Sequence, residues 1–352
     1  MLLVTLLLLL TASPALFMRL YPPGLPTQFY RDLGNVIVDQ MDLPSMPSPL
    51  REGHWPRSEL RVGQAAGISV DLNDRPQVFH RGNVTWDSTS FNRSHHYQHR
   101  GRGPIRIATL LTLEKGTGAV LRSEGAGRFY LPHGLHIDGE GNRWVTDVAM
   151  HQVFKLPPDS DTPTLTLGVA FEPGYDDAHF CKPTDVAVAD DGTIFVADGY
   201  CNSRIMIFNR DGRHLGSFGE REGMEFVVPH SLALEGAVLC VADRENSRLV
   251  CWNVREPFVQ PQVVDLQVYG PVYAVAPAGA VLFTLHHGRR HPSALTLDLA
   301  TGRVIDNWPA AKSLNQPHDL AVSSDGRTIY VVELTPARVV KFLVDPDLYE
   351  HL

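Results

Sequence analysis

Four segments of this chain open on proline and then run through one shared pattern. They are PHGLHIDGEGNRWVTDVAMHQVFKL from Pro132, PTDVAVADDGTIFVADGYCNSRIMIF from Pro183, PHSLALEGAVLCVADRENSRLVCW from Pro229 and PHDLAVSSDGRTIYVVELTPARVVKF from Pro317. Each reads as a short apolar alternation, an Asp/Gly turn, a second apolar run, a polar turn and a third run, which is the signature of three consecutive strands. The proline starts are 51, 46 and 88 residues apart (132 to 183, 183 to 229, 229 to 317), and the last gap is close to two periods. A weaker copy, PVYAVAPAGAVLFTLHHGRR from Pro271, fills that gap, and another, AAGISVDLNDRPQVFHRGN from Ala65, lies upstream. Six copies with almost no helical periodicity predict an all-β six-bladed β-propeller, with four strands per blade if one further strand precedes each quoted segment. An open solenoid is the alternative. Short Asp/Gly turns and the lack of a stacking leucine ladder favour closure.

Outside the repeat, residues 1–16 read as a signal peptide: an apolar run from Leu2 to Leu10, then small residues. The run is too short to span a bilayer, which takes about 20 apolar residues. Residues 17–62 form a Pro-rich arm, 63–345 the propeller, and 346–352 a C-terminal tail. Residues 83–104, polar and carrying the sequons at Asn83 and Asn92, read as a surface insertion in the first blade. Secretion and glycosylation follow as expectations. A formal net charge of −8 without a basic cluster argues against nucleic acid as a partner. Of the 16 histidines, pairs such as His95-His96 and His286-His287 read as solvated loop residues. The four cysteines (Cys181, Cys201, Cys240, Cys251) suggest two disulfides. Three pairings are formally possible; the local pairs, each expected to link neighbouring strands, are preferred.

Aligned on the position after the leading proline, the six copies carry Ala66, His133, Thr184, His230, Val272 and His318. Histidine falls in blades 2, 4 and 6 only, whereas a consensus turn residue would appear in odd blades as well. In a closed six-fold ring, alternate blades lie about 120° apart and one repeat position lies at one depth. Three imidazoles would therefore converge on the axis, as a catalytic zinc requires: three neutral nitrogens at about 2.0–2.1 Å and an open fourth position. Further along each copy, a second ring collects Arg81, Asp147, Asp198 with Tyr200, Asp243 with Arg244, His286 and Glu333. The three aspartates are read as strand-end hydrogen-bonding residues. Arg81, Tyr200 and Arg244 put two cations and a phenol at one end of the channel.

At these residues the chain resembles the lyase half of the peptidylglycine α-amidating enzymes, a propeller of the NHL-repeat type. The resemblance rests on VFHRGNVTWD, FYLPHGLHIDGEGNRWVTDVAMHQVFKL, HFCKPTDVAV, VADGYCNSRI, VPHSLAL, LCVADRENSR and QPHDLAV, and covers nearly all of residues 66–342. It implies zinc on His133, His230 and His318, a catalytic Tyr200, and essential Arg81 and Arg244. It also implies a structural calcium at the Ile68 and Leu135 carbonyls and the Asp319 carboxylate, a hard cation on oxygen ligands. The family's disulfides fall on Cys181–Cys201 and Cys240–Cys251. Where the family usually has Met beside the substrate, two residues before the third histidine, this chain has Gln316.

The reaction the resemblance implies is cleavage of the N–Cα bond of a peptidyl-α-hydroxyglycine to peptide amide and glyoxylate. The copper monooxygenase that makes this substrate would be a separate protein, and the lyase a monomer. Two other classes fit parts of the pattern. A calcium-dependent propeller lactonase would use carboxylates and Asn around its metal, and a secreted propeller that only binds a protein ligand would hold no stoichiometric zinc.

Overall fold

The computed structural model describes residues 48–219, 224–256, 260–288 and 290–345. The expected signal peptide, the arm up to residue 47 and the C-terminal tail lie outside the described residues. Six four-stranded antiparallel sheets follow one another in sequence. Their innermost strands are Ala65–Val70, Pro132–Ile137, Asp185–Val188, Pro229–Glu235, Val272–Ala278 and Pro317–Val322. Each contacts the next, and the last returns to the first, so the ring closes. Among the described residues the only helices are two short 3₁₀ segments, Arg100–Arg102 and Pro309–Ser313. None is long and apolar enough to cross a membrane.

The second strands show why the sheets stack. Pro76–His80, Arg143–Asp147 and Ile194–Asp198 are buried along their whole length, so each strand must be covered on both faces by neighbouring sheets. Six apolar clusters fill the six gaps between blades. Phe79, Leu110, Leu135 and Val145 join blades 1 and 2, and Ile68 and Val78 meet Tyr330 and Val332 where blade 1 meets blade 6. This burial is roughly proportional to apolar area and is shared out around the ring, with no single central core.

Two details differ from the sequence expectation. The fourth strand of blades 1 to 5 follows the three strands of the repeat (Val120–Glu124 in blade 1, for example) and does not precede them. In blade 6 the outer strand is Leu50–Arg51, paired with Leu343 and Phe342. A segment within the expected arm thus completes the last blade, and nearby Trp55 is buried against Tyr330. The outer strands of blades 1, 3 and 4 alternate exposed and half-buried positions and carry little of the repeat's apolar signature, which is why the place of the fourth strand was not legible. The insertion falls where expected, between Pro76–His80 and Leu110–Leu113, with Asn83 and Asn92 both exposed.

The acidic strand-end residues share one task. Asp147 accepts from the backbone N–H of Tyr130, Leu131, Ala149 and Met150. Asp198 accepts from Cys181 N–H, Asp243 from Val227 N–H and Glu333 from Asn315 N–H. In each blade the last residue of the second strand thus ties down the segment entering the first. In blade 1 this residue is His80, which accepts from Gly63 N–H, and not Arg81; in blade 5 it is His286, which donates to the Gly270 carbonyl. Arg81 belongs one position later, in register with Gly199, Arg244 and His287. His286 is a buried strand residue and His287 is largely buried, so the solvated-loop reading of that pair is corrected.

Candidate metal centre and active site

The side chains that face the axis are aimed by irregularities in the innermost strands. Pairing between first and second strands slips at Ala66, at His133–Gly134, at His230, at Tyr273 and at His318. A β-bulge sets two residues against one and re-aims a side chain, so the bulge residues point inward. Thr184 stands at the corresponding place in blade 3, its N–H bonded to the Ala197 carbonyl. The fifth occupant is therefore Tyr273, not Val272. The leading proline of blade 5 sits one residue early, and alignment on proline shifts the position by one.

His133, His230 and His318 are buried and meet at the axis, with ring centroids 4.8–4.9 Å apart. One nitrogen from each lies within 4.8 Å of the others. Their Nδ1 atoms lie 2.7, 2.6 and 2.7 Å from the carbonyls of Thr184, Tyr273 and Ala66. Each histidine of an even blade thus leans on the main chain of the next odd blade. A carbonyl only accepts, so each Nδ1 carries a proton and each Nε2 presents a lone pair. Burial above all, then neighbouring guanidiniums and imidazoles, holds all three well below the usual imidazole range, so they are neutral at pH 7. Three neutral lone pairs at one point, each oriented through its other nitrogen, fit a tetrahedral divalent ion with a free position. Among the described residues the other His/Cys group is His95 with Cys181 and Cys201; its sulfurs are joined in a disulfide.

Tyr200 stands over the open side. Its hydroxyl is 2.9 Å from His133 Nε2 and 3.2 Å from His230 Nε2. Both are acceptors, so the single phenol O–H donates to one of them, His133 being the nearer, and it competes for a lone pair that a cation would take. Tyr200 gets there because the turn after Ile194–Asp198 passes close under blade 4: a Cβ on Gly199 would lie 2.1 Å from the Pro229 carbonyl oxygen. The Cys181–Cys201 disulfide then pins the adjacent residue. That bridge ties a loop to a turn, whereas Cys240–Cys251 joins directly opposed residues of neighbouring strands. Trp86, from the insertion, packs edge-on against Tyr200 at 4.7 Å. Burial raises the phenol above its ordinary value, and the charges of Arg244 and Arg81 oppose that rise.

Arg81 is buried. Its Nε donates to the Pro132 carbonyl at 2.9 Å and its Nη1 to Gln64 at 2.8 Å, and burial lowers it to about 10. Arg244 sits at the mouth, 3.5 Å from the Tyr200 hydroxyl and paired with Glu245 at 2.7 Å. Gln316 is exposed just before the last innermost strand, its carbonyl accepting from Leu334 N–H.

On the other side of the triad, Ile68, Leu135 and Asp319 line one stretch of the channel. Asp319 accepts from Ile68 N–H at 2.9 Å. Sequence reasoning missed Asp185, which lines the same stretch and accepts from Leu232 N–H at 2.8 Å. The signal was present: Asp185 follows Thr184 as Asp319 follows His318. Burial, and for Asp319 the charge of Asp185, raises both carboxyls. Two buried carboxylates of like charge suit a cation between them.

Residues 180–208, in blade 3, match the NHL repeat. The chain is 43% identical over 313 residues to peptidyl-glycine alpha-amidating monooxygenase B of Xenopus laevis, covering 84% of this chain and 35% of that protein. It thus spans about a third of the length of that relative. It is 40% identical to peptidyl-alpha-hydroxyglycine alpha-amidating lyase 2 of Drosophila melanogaster, covering 84% of this chain and 75% of that one. The nidogen/laminin complex contains a chain of similar fold (TM-score 0.55, 15% identity, 75% of this chain and 86% of that chain). At the identity and coverage of the Drosophila protein, this chain belongs to the family of peptidyl-α-hydroxyglycine α-amidating lyases.

Proposed function

We propose that the chain is a zinc-dependent lyase that cleaves the N–Cα bond of peptidyl-α-hydroxyglycine, the second step of peptide amidation. The observation that carries this reading is the joining of a neutral three-histidine centre to a phenol and two guanidiniums at one channel mouth, in a member of the lyase family. His133, His230 and His318 would hold the ion. It would supply Lewis acidity toward the substrate's α-hydroxyl oxygen. Tyr200 is the proton acceptor for that hydroxyl. Buried as it is, the phenol needs the positive charge of Arg81, Arg244 and the ion to ionise near neutral pH. Arg81 and Arg244 hold the carboxylate of the hydroxyglycine, which a guanidinium grips through paired N–H donors. The hydroxyl loses its proton and the N–Cα electron pair passes to the amide nitrogen. That nitrogen takes up a proton, and the α-carbon leaves as the aldehyde of glyoxylate.

A copper monooxygenase activity would supply the hydroxylated substrate. Calcium on Ile68, Leu135 and Asp319, with Asp185 beside them, would brace the channel below the triad. Two disulfides and two exposed sequons favour a secretory route with glycans on Asn83 and Asn92. The test is to incubate the purified chain with a model peptidyl-α-hydroxyglycine, with and without chelator, and to measure glyoxylate. Release that stops on chelation and returns with zinc is expected. Release unaffected by chelation, or none from zinc-loaded protein, rejects the reading.

A further inference from the structure

Blade 5 contributes no histidine to the triad, yet two of its side chains reach the mouth. Tyr273, turned inward by its bulge, stacks on His287 with ring centroids 3.6 Å apart and planes 14° from parallel. Carbon ζ of Arg244 lies 4.9 Å from the Tyr273 ring and 5.3 Å from the Tyr200 ring. The guanidinium is thus flanked by two phenols. The stack is itself anchored. The His287 N–H donates to the Pro271 carbonyl at 3.0 Å, and its Nε2 lies 2.7 Å from the carbonyl of Pro317, next to the ligand His318. The other side-chain partner of Arg244 is Glu245, whose side chain is 43% exposed and which takes the Nε and Nη2 donors that a substrate carboxylate would use. A long side chain left to that partner would have to be drawn back and ordered each time substrate binds.

We propose that Tyr273, braced by His287, is a positioning residue: it holds Arg244 over the axis and so sets how tightly a carboxylate-bearing substrate is bound. The inference rests on the reading of Arg244 as a carboxylate-binding residue. The Tyr273 carbonyl orients His230 whatever side chain the residue carries; its ring also lies 5.3 and 6.1 Å from those of His230 and His318, so zinc content separates an effect on the triad from one on Arg244.

The test uses zinc-loaded protein and a model peptidyl-α-hydroxyglycine, with zinc content measured for every variant. Tyr273→Phe keeps the aromatic face, and its KM is expected within about twofold of the parent. Tyr273→Leu is expected to raise KM roughly 5- to 20-fold with kcat changed less than about threefold. His287→Ala, which removes the support from the far side, should move KM in the same direction. The distinguishing measurement is a double-mutant cycle: in an Arg244→Ala background, Tyr273→Leu should have no further effect. An equal loss with and without Arg244, or an unchanged KM in both Tyr273→Leu and His287→Ala, overturns the inference while leaving the lyase reading intact. Arg244→Ala with the parent's KM would instead overturn the role of Arg244, and the inference with it.

Discussion

Tyr200 is the residue on which the proposed chemistry turns, and its surroundings pull it two ways. Burial raises its pKa and the two guanidiniums lower it, while its proton is shared with ring nitrogens that a cation would occupy. Tyr200→Phe removes the oxygen but keeps the ring against Trp86. Turnover is expected to fall about 10²- to 10⁴-fold with bound zinc unchanged, measured by glyoxylate release and metal analysis; near-parent kcat would exclude the role. The Pro-His pattern made the triad legible from sequence because equal repeat positions map to equal depth in a ring. Tyr273 was not legible, because a one-residue offset of a proline hides a bulge position. Asp185 was legible in principle, since it is in register with Asp319.

At the scale of single elements, the strand-end acids explain why each blade keeps its shape. Asp147 is fully buried and takes four backbone N–H groups. Asp147→Ala would leave those donors without their acceptor, at about 1–3 kcal/mol for each one that stays buried. A loss of several kcal/mol is expected in a denaturant titration, and a loss under about 1 kcal/mol would contradict the tether. The sequence reading of these aspartates as strand-end hydrogen-bonding residues was sound. It could not tell that His80 and His286 do the same work in blades 1 and 5, because residue type changes while position does not. Nor could it find the outer strand of blade 6, since a two-residue strand, Leu50–Arg51, has no periodicity to detect.

For the molecule as a whole, closing six sheets around an axis buries further imidazoles besides those of the triad. Burial lowers His80, His136 and His286 to about 4 and His151 to about 3. A depressed folded-state pKa means that the unfolded chain binds protons which the native state refuses. Stability from these groups is therefore complete above about pH 6.5 and is lost as pH falls toward 4. Asp198, raised by burial to about 6, and Asp185 and Asp319, also raised, act in the opposite sense over part of that range. The three triad histidines, lowered in the same direction by burial, add to the four imidazoles against these carboxyls. The melting temperature is expected to be level above pH 7 and to drop steadily from about pH 6.5 to 4; a flat or rising profile over that interval would refute this account.

The sequence by itself determined the number of blades, the alternation of histidine around the axis and the position of the insertion. All of these follow from spacing along the chain, and spacing becomes angle once a repeat closes on itself. Only the tertiary structure decided which side chains are partners. His318 leans on Ala66 across 252 residues of chain, Tyr273 reaches Arg244 from the neighbouring blade, and a strand from outside the repeat completes the last sheet. Such contacts depend on bulges, turns and ring closure, which bring together residues that no local pattern relates.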